Sequence, residues 1–391
     1  MRRKKNKGYK IENYGRIFDS SHRQRKKKTR NAVILVVSLV LLGFLGYSIS
    51  GPLSNLLKGE KTERPNNTSS AVSSNIASSG ISSSEKEEKV SFGNLKVAYM
   101  PVSVLTNDET LNSYLDKIKA LGYNSVVVEL KDEVGTIYYK TSNELALSVG
   151  AVAENAVLDI KASCEKIKAK GIVPIAQINA FKDKTAAKNA EAKILYTGQE
   201  GWSWLDGENG KPWLNPYSAV AQQYITSLAS ELADFGFENI LVSNVTFPQV
   251  SRFNSADFGP FEQSISHRDV LAQYTSALKD ALNKKNAKLL LGFDGAASFR
   301  ENNVVYGGGS PMTFVADAYV PYFTLPSDSG YELSSYISGL RILNFDANVM
   351  VQFYSVNKEG TVFSKEELDA QKSVCAGCAV YVCDKNGNYV G

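Results

Sequence analysis

The chain has 391 residues, 44 Lys+Arg against 40 Asp+Glu, a formal net charge of +4, and 43% hydrophobic residues. This composition excludes a chain that is disordered throughout, and four cysteines in such a length exclude a disulfide scaffold. Residues 1–30 contain 13 basic and 2 acidic residues, so the remainder contains 31 basic and 38 acidic residues, a net of −7. A basic body that binds nucleic acid is therefore excluded, and no nucleic-acid partner is expected.

The basic tail at 1–30 is followed by an apolar segment. Ala32–Ile49 has 18 residues without a charge, and a basic block at 25–30 precedes it. Roughly 20 such residues cross a bilayer, and flanking basic residues stay on the cytoplasmic side. We therefore expect a transmembrane helix at 31–53, a membrane contact through 32–53, a cytoplasmic N-terminus and an extracytoplasmic body. A cleaved signal peptide fits the sequence less well than a transmembrane helix, because the apolar segment is long and no A-x-A site follows it.

Residues 54–92 are predicted to form a disordered linker. Eleven of the 23 residues in Thr62–Ser84 are Ser or Thr, and large apolar side chains are few. Such a segment buries too little apolar area to offset the entropy of ordering. It would hold the body away from the membrane.

From residue 93 to 391, apolar strands alternate with amphipathic helices. Glycine ends three of the helices before a strand, as in LGYNSVVVEL, KGIVPIAQI and FGFENILVS. Eight strands in this alternation predict a (β/α)₈ TIM-like barrel. An open doubly wound sheet fits the sequence less well than a barrel, because no Gly-rich phosphate turn follows the first strand. The strands are predicted at Lys96–Val102, Asn124–Leu130, Ile172–Asn179, Asn239–Asn244, Lys288–Asp294, Asp317–Phe323, Asn348–Tyr354 and Cys378–Cys383, and the helices at Asp108–Leu121, Asn155–Lys170, Ala219–Phe235, His267–Lys285, Tyr331–Leu343 and Ser364–Ser373.

In such a barrel, functional side chains gather at the C-terminal ends of the strands. Glycoside hydrolysis needs two carboxyl groups, one acid and one base or nucleophile. Glu129 and Asp294 each end a strand after buried apolar residues, so they are the candidate catalytic pair. For Asp132, a structural role at the strand end is the main alternative to a substrate contact. The candidate substrate-binding residues at strand ends are Lys131, Asp132, Gln177, Asn244, Gln352 and Tyr354.

A long connection after the third predicted strand contains all three tryptophans of the chain. Loops of this length are commonly functional or disordered, and clustered tryptophan argues against disorder. Aromatic rings stack on sugar faces, so the segment is a candidate binding platform. The alternative is that the connection folds into its own small core over the barrel. The candidate sugar-binding residues here are Trp202, Trp204, Trp213, Asn215 and Tyr217.

Histidine and cysteine chemistry is sparse in the body. His267 is its only histidine, which disfavours a Ser–His–Asp triad or a His-based zinc site, and we expect no metal and no cofactor. Cys375 and Cys378 have a C-x-x-C spacing that leads into a strand, unlike redox motifs, which open a helix. Whether Cys375, Cys378 and Cys383 form a local disulfide or stay free thiols is left open by the sequence.

Four segments carry a family resemblance: VVVELKDEVGTIYY (126–139), PIAQINAFKD (174–183), WLNPYS (213–218) and VSNVTFP (242–248). In order and spacing they resemble the bacterial putative glycoside hydrolase domain family of unknown function, a TIM-barrel family with an FDYxRFP-type motif. The resemblance implies a glycosidase fold. Together with the transmembrane helix expected at 31–53, it would make the chain a membrane-anchored extracytoplasmic hydrolase of cell-surface or environmental polysaccharide, with a polysaccharide or cell-wall glycan as its partner.

The departures from the family pattern bear on catalysis. Glu129 replaces the family's aspartate and keeps a carboxylate, whereas Gln177 and Thr246 replace arginines. Ser243 replaces the aspartate of the fourth motif, and a serine does not act as a general acid near neutral pH. The alternative function is therefore a catalytically degenerate barrel that binds cell-wall carbohydrate or a protein partner.

Overall fold

The computed structural model of the chain describes residues 92–206, 210–248, 253–295, 303–323, 347–354 and 379–383, with isolated residues between 338 and 373. Within those ranges, no helix combines the length and the apolar character needed to cross a membrane. The predicted helix at 31–53 and the predicted linker lie outside them. The predicted helices Tyr331–Leu343 and Ser364–Ser373 lie almost wholly outside them as well.

Eight parallel strands form the centre of the body, and the fold is α/β with a parallel sheet, as predicted. Each strand pairs with the next in the order β1-β2-β5-β8-β10-β11-β12-β13, and β13 pairs with β1, so the pairings close into a ring. A closed ring leaves no unpaired strand edge. The eight strands are β1 (Lys96–Tyr99), β2 (Ser125–Lys131), β5 (Val173–Asn179), β8 (Asn239–Ser243), β10 (Lys288–Asp294), β11 (Ala318–Phe323), β12 (Met350–Tyr354) and β13 (Ala379–Cys383).

The interior of the ring is filled by side chains from alternate positions of the strands. When the register partners are followed from strand to strand once around the ring, the path returns to β1 eight residues away from where it started. This displacement is the shear number of a TIM barrel. The residues packed together inside are apolar and buried, so the lower part of the ring is a core and not a pore. They include Val97, Val127, Ile175, Leu241, Leu290, Val320 and Met350.

Five α-helices lie among the described residues, and four of them begin at side-chain caps from Asn or Ser. The Asn107 side chain accepts from the backbone N–H groups of Glu109 and Thr110, and the Ser266 hydroxyl accepts from that of Asp269. Glycines with positive φ at 122, 171 and 236 follow three helices, where the sequence predicted them. The helices are α1 (Asp108–Ala120), α2 (Glu144–Ser148), α3 (Ile160–Ala169), α4 (Ala219–Asp234) and α5 (His267–Asn283).

The structure corrects the start of one predicted helix, and it contains two short strands that the sequence did not predict. The helix predicted at Asn155–Lys170 begins at Ile160, because Asp159 caps it and the preceding residues form β4 (Val152–Val157). β4 pairs with β3 (Ile137–Tyr139), which continues antiparallel from the end of β2. These short strands lack a clear alternation, which is why the pattern did not reveal them.

The long connection after β5 contains a second small sheet. Its strands are β6 (Leu195–Tyr196), β7 (Gln199–Ser203) and β9 (Ala256–Asp257), with β6 in the centre and both pairings antiparallel. β9 follows β8 in the chain, so the sheet joins the two connections that leave the C-terminal ends of β5 and β8. The connection is therefore folded, which is the alternative that the sequence analysis left open beside a binding platform.

Candidate active site

Polar side chains follow the apolar interior residues toward the C-terminal ends of the strands. Since side chains alternate along a strand, residues two or four positions after an interior residue face the same way. Ser243 confirms the direction, because a Cβ added to Gly292 would lie 2.4 Å from its Oγ. The interior face at this end therefore unites side chains from six strands. Four of them are candidate site residues, Glu129, Gln177, Asp294 and Gln352, and Ser243 and Tyr322 lie on the same face.

Glu129 lies on this face, and its pKa is strongly shifted. Asn179 Nδ2 donates to Glu129 Oε1 at 2.9 Å, and Gln177 Nε2 lies 3.4 Å from the same oxygen. Burial, with smaller contributions from the nearby Asp132 and Glu133, raises the pKa of Glu129 to about 7, against a lowering effect of the Asn179 bond. A carboxylic acid that stays protonated near neutral pH has the property of a general acid.

Lys131 was predicted to contact substrate, and the structure corrects this. The register between β2 and β5 shifts between Glu129 and Lys131, and this bulge turns Lys131 away from the barrel interior. Its ammonium lies 2.8 Å from Asp183 Oδ2, donates to Asn179 O at 2.6 Å and sits over the Tyr224 ring at 5.8 Å. Both side chains of the ion pair are completely buried. Lys131 therefore has a structural role.

Asp132 has the structural role that the sequence left as its main alternative. Its Oδ1 accepts from the backbone N–H groups of Val134 and Thr136, and its Oδ2 accepts from the Tyr138 hydroxyl at 2.8 Å. Gly135 completes this turn with a positive φ of 95°. A Cβ there would lie 1.9 Å from Asp183 Oδ1, so only glycine fits. The KDEVG and FKD segments are thus locked together by Lys131, Gly135 and Asp183.

Four of the five predicted sugar-binding residues in the long connection form its own core, which corrects their predicted role. Trp204 is fully buried, and its Nε1 donates to Ser255 Oγ at 3.2 Å. Trp213 donates to Asp206 Oδ2 at 3.0 Å. Asn215 Nδ2 donates to Phe258 O at 3.1 Å, and the Tyr217 hydroxyl donates to Ile265 O at 2.7 Å. Their indole, amide and phenol groups are engaged with the protein and not presented to a sugar.

Trp202 differs, since this residue on β7 is 68% exposed. Replacing Trp202 with Ala should weaken binding of a soluble oligosaccharide roughly tenfold while changing the free energy of unfolding by less than about 0.5 kcal/mol. Titration calorimetry and thermal unfolding measure the two effects. The neighbouring Leu205, 42% exposed, provides the control, because Leu205→Ala removes apolar surface without an aromatic face. Equal affinities of wild type and the Trp202 variant would refute the platform.

Asn179 is a hydrogen-bond partner of Glu129 that the sequence analysis did not select as a candidate, although it was placed at a strand end. It joins Glu129 to Asn244, whose Nδ2 donates to Asn179 Oδ1 at 2.6 Å. Asn244 has a φ of 55°, a left-handed conformation that asparagine tolerates better than most residues. The run of amides at 177, 179 and 244 was the available signal, because a buried carboxylate needs donors around it.

The remaining candidates are placed as follows. Gln352 faces the barrel interior from β12, and its neighbour in register on β11 is Tyr322. Tyr354 ends β12, but its side chain lies outside the described residues, as do Cys375 and Cys378. His267 Nε2 is 3.0 Å from Glu262 Oε1, and its ring packs on Phe247. Among the described residues, no group of three or more His, Cys, Asp or Glu side chains is placed to hold a metal ion.

Comparison with solved structures supports the fold. The glycoside hydrolase domain of PgaB (BpsB) from Bordetella bronchiseptica is 12% identical, with 74% of this chain and 94% of that one covered at a TM-score of 0.55. The glycoside hydrolase domain of PelA from Pseudomonas aeruginosa is 14% identical, with 76% and 97% covered and a TM-score of 0.40. A hypothetical protein from Ruminiclostridium thermocellum is 22% identical, with 50% and 96% covered and a TM-score of 0.43. Only the PgaB domain has a TM-score above 0.5, and at 12% identity this likeness supports the fold alone.

Comparison with curated proteins gives no match. A family profile described as "Putative glycosyl hydrolase domain" matches residues 97–302, which is more than half of the chain. This range begins in β1, runs beyond β10, and includes the four segments on which the resemblance rested. The resemblance inferred from the sequence is confirmed, and the chain belongs to the putative glycosyl hydrolase domain family.

Proposed function

We propose that this protein is a glycoside hydrolase that acts on cell-surface or environmental polysaccharide, with Glu129 as its general acid. The observation that carries the proposal is the pKa of about 7 at Glu129, on the interior face at the C-terminal end of the strands. A general acid must keep its proton until it meets the glycosidic oxygen, and an ordinary glutamate loses it well below neutral pH. Family membership adds to this support.

The amide of Asn179 selects the oxygen of Glu129 that carries the proton. Because Asn179 Nδ2 donates to Oε1, that oxygen acts as an acceptor. The proton of the neutral acid then lies on Oε2, and Oε2 is the atom that gives it to the leaving group. Asn244 holds the amide in this orientation, since its own Nδ2 donates to Asn179 Oδ1. The two asparagines thus position the acid.

Asp294 is the second carboxyl group of the proposal, as base or nucleophile. It shares the interior face with Glu129, and β5 and β8 stand between their strands. Three strand intervals of about 4.8 Å each separate the backbones along the curved sheet, and closure of the ring shortens the direct path across it. Ser243 lies on the intervening β8 and is not a base, so the role falls to Asp294.

A catalytically degenerate, carbohydrate-binding barrel is the second candidate. It is favoured by Ser243, which stands where the family pattern has aspartate, and by Gln177 in place of arginine. Such a protein would keep a polar cleft for sugars and lack turnover. Its occupant would be a cell-wall glycan or a protein partner.

Release of reducing ends from purified cell-wall glycan and neutral polysaccharides distinguishes the two candidates. The hydrolase proposal expects release by the wild type and its loss in Asp294→Asn. A protein that binds a glycan in a pull-down assay but releases no reducing ends would instead be the degenerate barrel. Absence of both binding and release would contradict both candidates.

We also propose that residues 32–53 anchor the protein in the cytoplasmic membrane with the body outside. The supporting observation is the uncharged stretch Ala32–Ile49 behind a basic block. Fractionation of intact cells should recover the body in membranes, and protease added outside should digest it. A soluble body cleaved near residue 50 would refute the anchor.

A further inference from the structure

The interior face around Glu129 is built from side chains of very different length. β2 and β5 contribute Glu129 and Gln177, whereas β8 and β10 contribute Ser243 and Gly292. A Cβ on Gly292 would lie 2.4 Å from Ser243 Oγ, and Gly292 is not among the glycines with positive φ. The glycine is therefore needed to make room for the serine hydroxyl and not to form a turn.

The Ser243 hydroxyl has polar capacity that the protein does not use. Ser243 is 8% exposed, and in the part of the chain that the structure describes its hydroxyl forms no hydrogen bond. Gln177 Oε1 is sealed from solvent without a partner, whereas Ser243 Oγ is not sealed in this way. A hydroxyl that protein groups leave unpaired in a polar site bonds water. Ser243 is therefore suited to hold a water at the mouth of the barrel.

The strand register gives the height of Ser243 and Asp294 along the barrel relative to Glu129. The register partners of Glu129 on the next three strands are Gln177, Leu241 and Leu290. A displacement of eight residues over eight strands lowers this path by one residue per strand. Ser243, two strands from β2, is therefore level with Glu129. Asp294, three strands from β2, lies one residue nearer the C-terminal end.

The same geometry sets the separation of the two carboxyl groups. Three of the eight strand intervals lie between β2 and β10. With strands about 4.8 Å apart and tilted about 36°, the two backbones are roughly 13–14 Å apart across the ring. Inward-pointing glutamate and aspartate side chains leave roughly 7–9 Å between their carboxyl groups. Inverting glycosidases have carboxyl groups about 6.5–9.5 Å apart and retaining ones about 5–5.5 Å, so this separation suits a base that acts through water.

We infer that the enzyme inverts the configuration of the anomeric carbon, and that Ser243 and Asp294 hold the attacking water. The inference rests on the proposed function for the reaction, glycoside hydrolysis. Val242 and Leu291 are register partners, so Ser243 and Asp294 are diagonal neighbours on adjacent strands of one face. The water donates one hydrogen to the Asp294 carboxylate and the other to Ser243 Oγ, which directs its lone pair toward the sugar.

The step balances with water as the only co-reactant. The water oxygen bonds to the anomeric carbon, and the bond from that carbon to the glycosidic oxygen breaks with its electron pair on the leaving oxygen. Asp294 takes a proton from the water, and Glu129 gives its proton to the leaving oxygen. Exchange with solvent then restores both groups. Because water enters on the face opposite to the leaving group, the configuration inverts.

Proton NMR of the digestion in its first minutes tests the inference. The full-length protein in detergent micelles is mixed with purified cell-wall glycan or with the neutral polysaccharides of the reducing-end assay. The first anomeric signal should have the configuration opposite to that of the bond broken, and added methanol should yield no methyl glycoside. A product of retained configuration, or a methyl glycoside, would reveal a covalent glycosyl-enzyme and overturn the inference while the hydrolase proposal stands. A wild type that releases no reducing ends would contradict both.

Ser243→Ala tests the role of the hydroxyl. This variant should lower kcat about tenfold with KM unchanged, because the hydroxyl acts on the attacking water and not on the bound glycan. Its melting temperature should equal that of the wild type, since the hydroxyl bonds no protein group. The matched control is Ser125→Ala at the start of β2, where the hydroxyl donates to Val173 O at 2.8 Å. The control should lower the melting temperature and leave kcat unchanged. An unchanged kcat in Ser243→Ala would overturn the role of Ser243.

Discussion

Replacing Glu129 with Gln is expected to lower the rate of polysaccharide hydrolysis roughly 10²–10⁴-fold, the usual contribution of a general acid. Gln keeps the shape and still accepts from Asn179 Nδ2 through its amide oxygen, but it has no proton to give to a leaving group. In the wild type, kcat/KM should fall above pH 7, because the pKa of Glu129 is about 7 and only the neutral acid is active. The measurement is the pH profile of reducing-end release for both proteins.

The stability of the Gln variant provides the control. Loss of the proton donor alone should raise its free energy of unfolding at pH 8, whereas a structural defect should lower it. The pKa of Glu129 is raised from an ordinary 4.5 to about 7 in the folded protein, chiefly by burial. Between these values the folded state keeps a proton that the unfolded state loses, so this residue makes stability fall as pH rises from 4.5 to 7. The Gln variant avoids the cost of burying the ionised form. At pH 8 it should be more stable than wild type by up to roughly 3 kcal/mol, and at pH 4 equally stable.

Thermal unfolding at the two pH values separates the outcomes. An inactive variant that gains stability at pH 8 has lost a proton donor and not its fold. Full activity of Glu129→Gln would rule out the acid assignment. A variant that is less stable at both pH values would show that Glu129 supports the fold in its charged form, contrary to the direction of its pKa shift.

The sequence predicted the parallel strands well, because β2, β5, β8 and β10 are each a run of mostly apolar residues that ends in a polar one. The same alternation placed Glu129, Gln177 and Asp294 on the interior face. It failed at Lys131, where strict alternation puts the side chain on the Glu129 face and the bulge turns it to the helix side. A bulge depends on the turn and on Asp183 more than 50 residues away, and neither is visible in a local pattern.

The Trp-rich connection shows a second limit of the sequence. Composition identifies a cluster of aromatic residues but does not divide it into exposed and buried members. Trp202 and Trp204 are two residues apart, yet one is largely exposed and the other is fully buried. The difference comes from Ser255, which bonds the Trp204 indole and belongs to the connection after β8. Tertiary partners from distant segments decide which rings remain for a ligand.

The second large effect is expected at the buried ion pair. Replacing Asp183 with Asn should destabilise the protein by about 3–5 kcal/mol, because it leaves the Lys131 ammonium completely buried without its counter-ion. Lys131→Met should cost a similar amount, since it leaves the Asp183 carboxylate unpaired. The double variant should cost much less than the sum, because both buried charges are then removed together. Thermal unfolding of the full-length protein gives the four values of this cycle.

The neighbouring pair of Lys182 and Glu133 is a matched control in both sequence and geometry. Its charged atoms are 2.6 Å apart, but 31% of the lysine and 56% of the glutamate side chain are exposed. Water and salt screen this pair, so Lys182→Met and Glu133→Gln should each change stability by less than about 1 kcal/mol. Equal losses at the two pairs would mean that burial does not decide their strength. Additive losses at Lys131 and Asp183 would mean that the KDEVG and FKD segments are not held together by this pair.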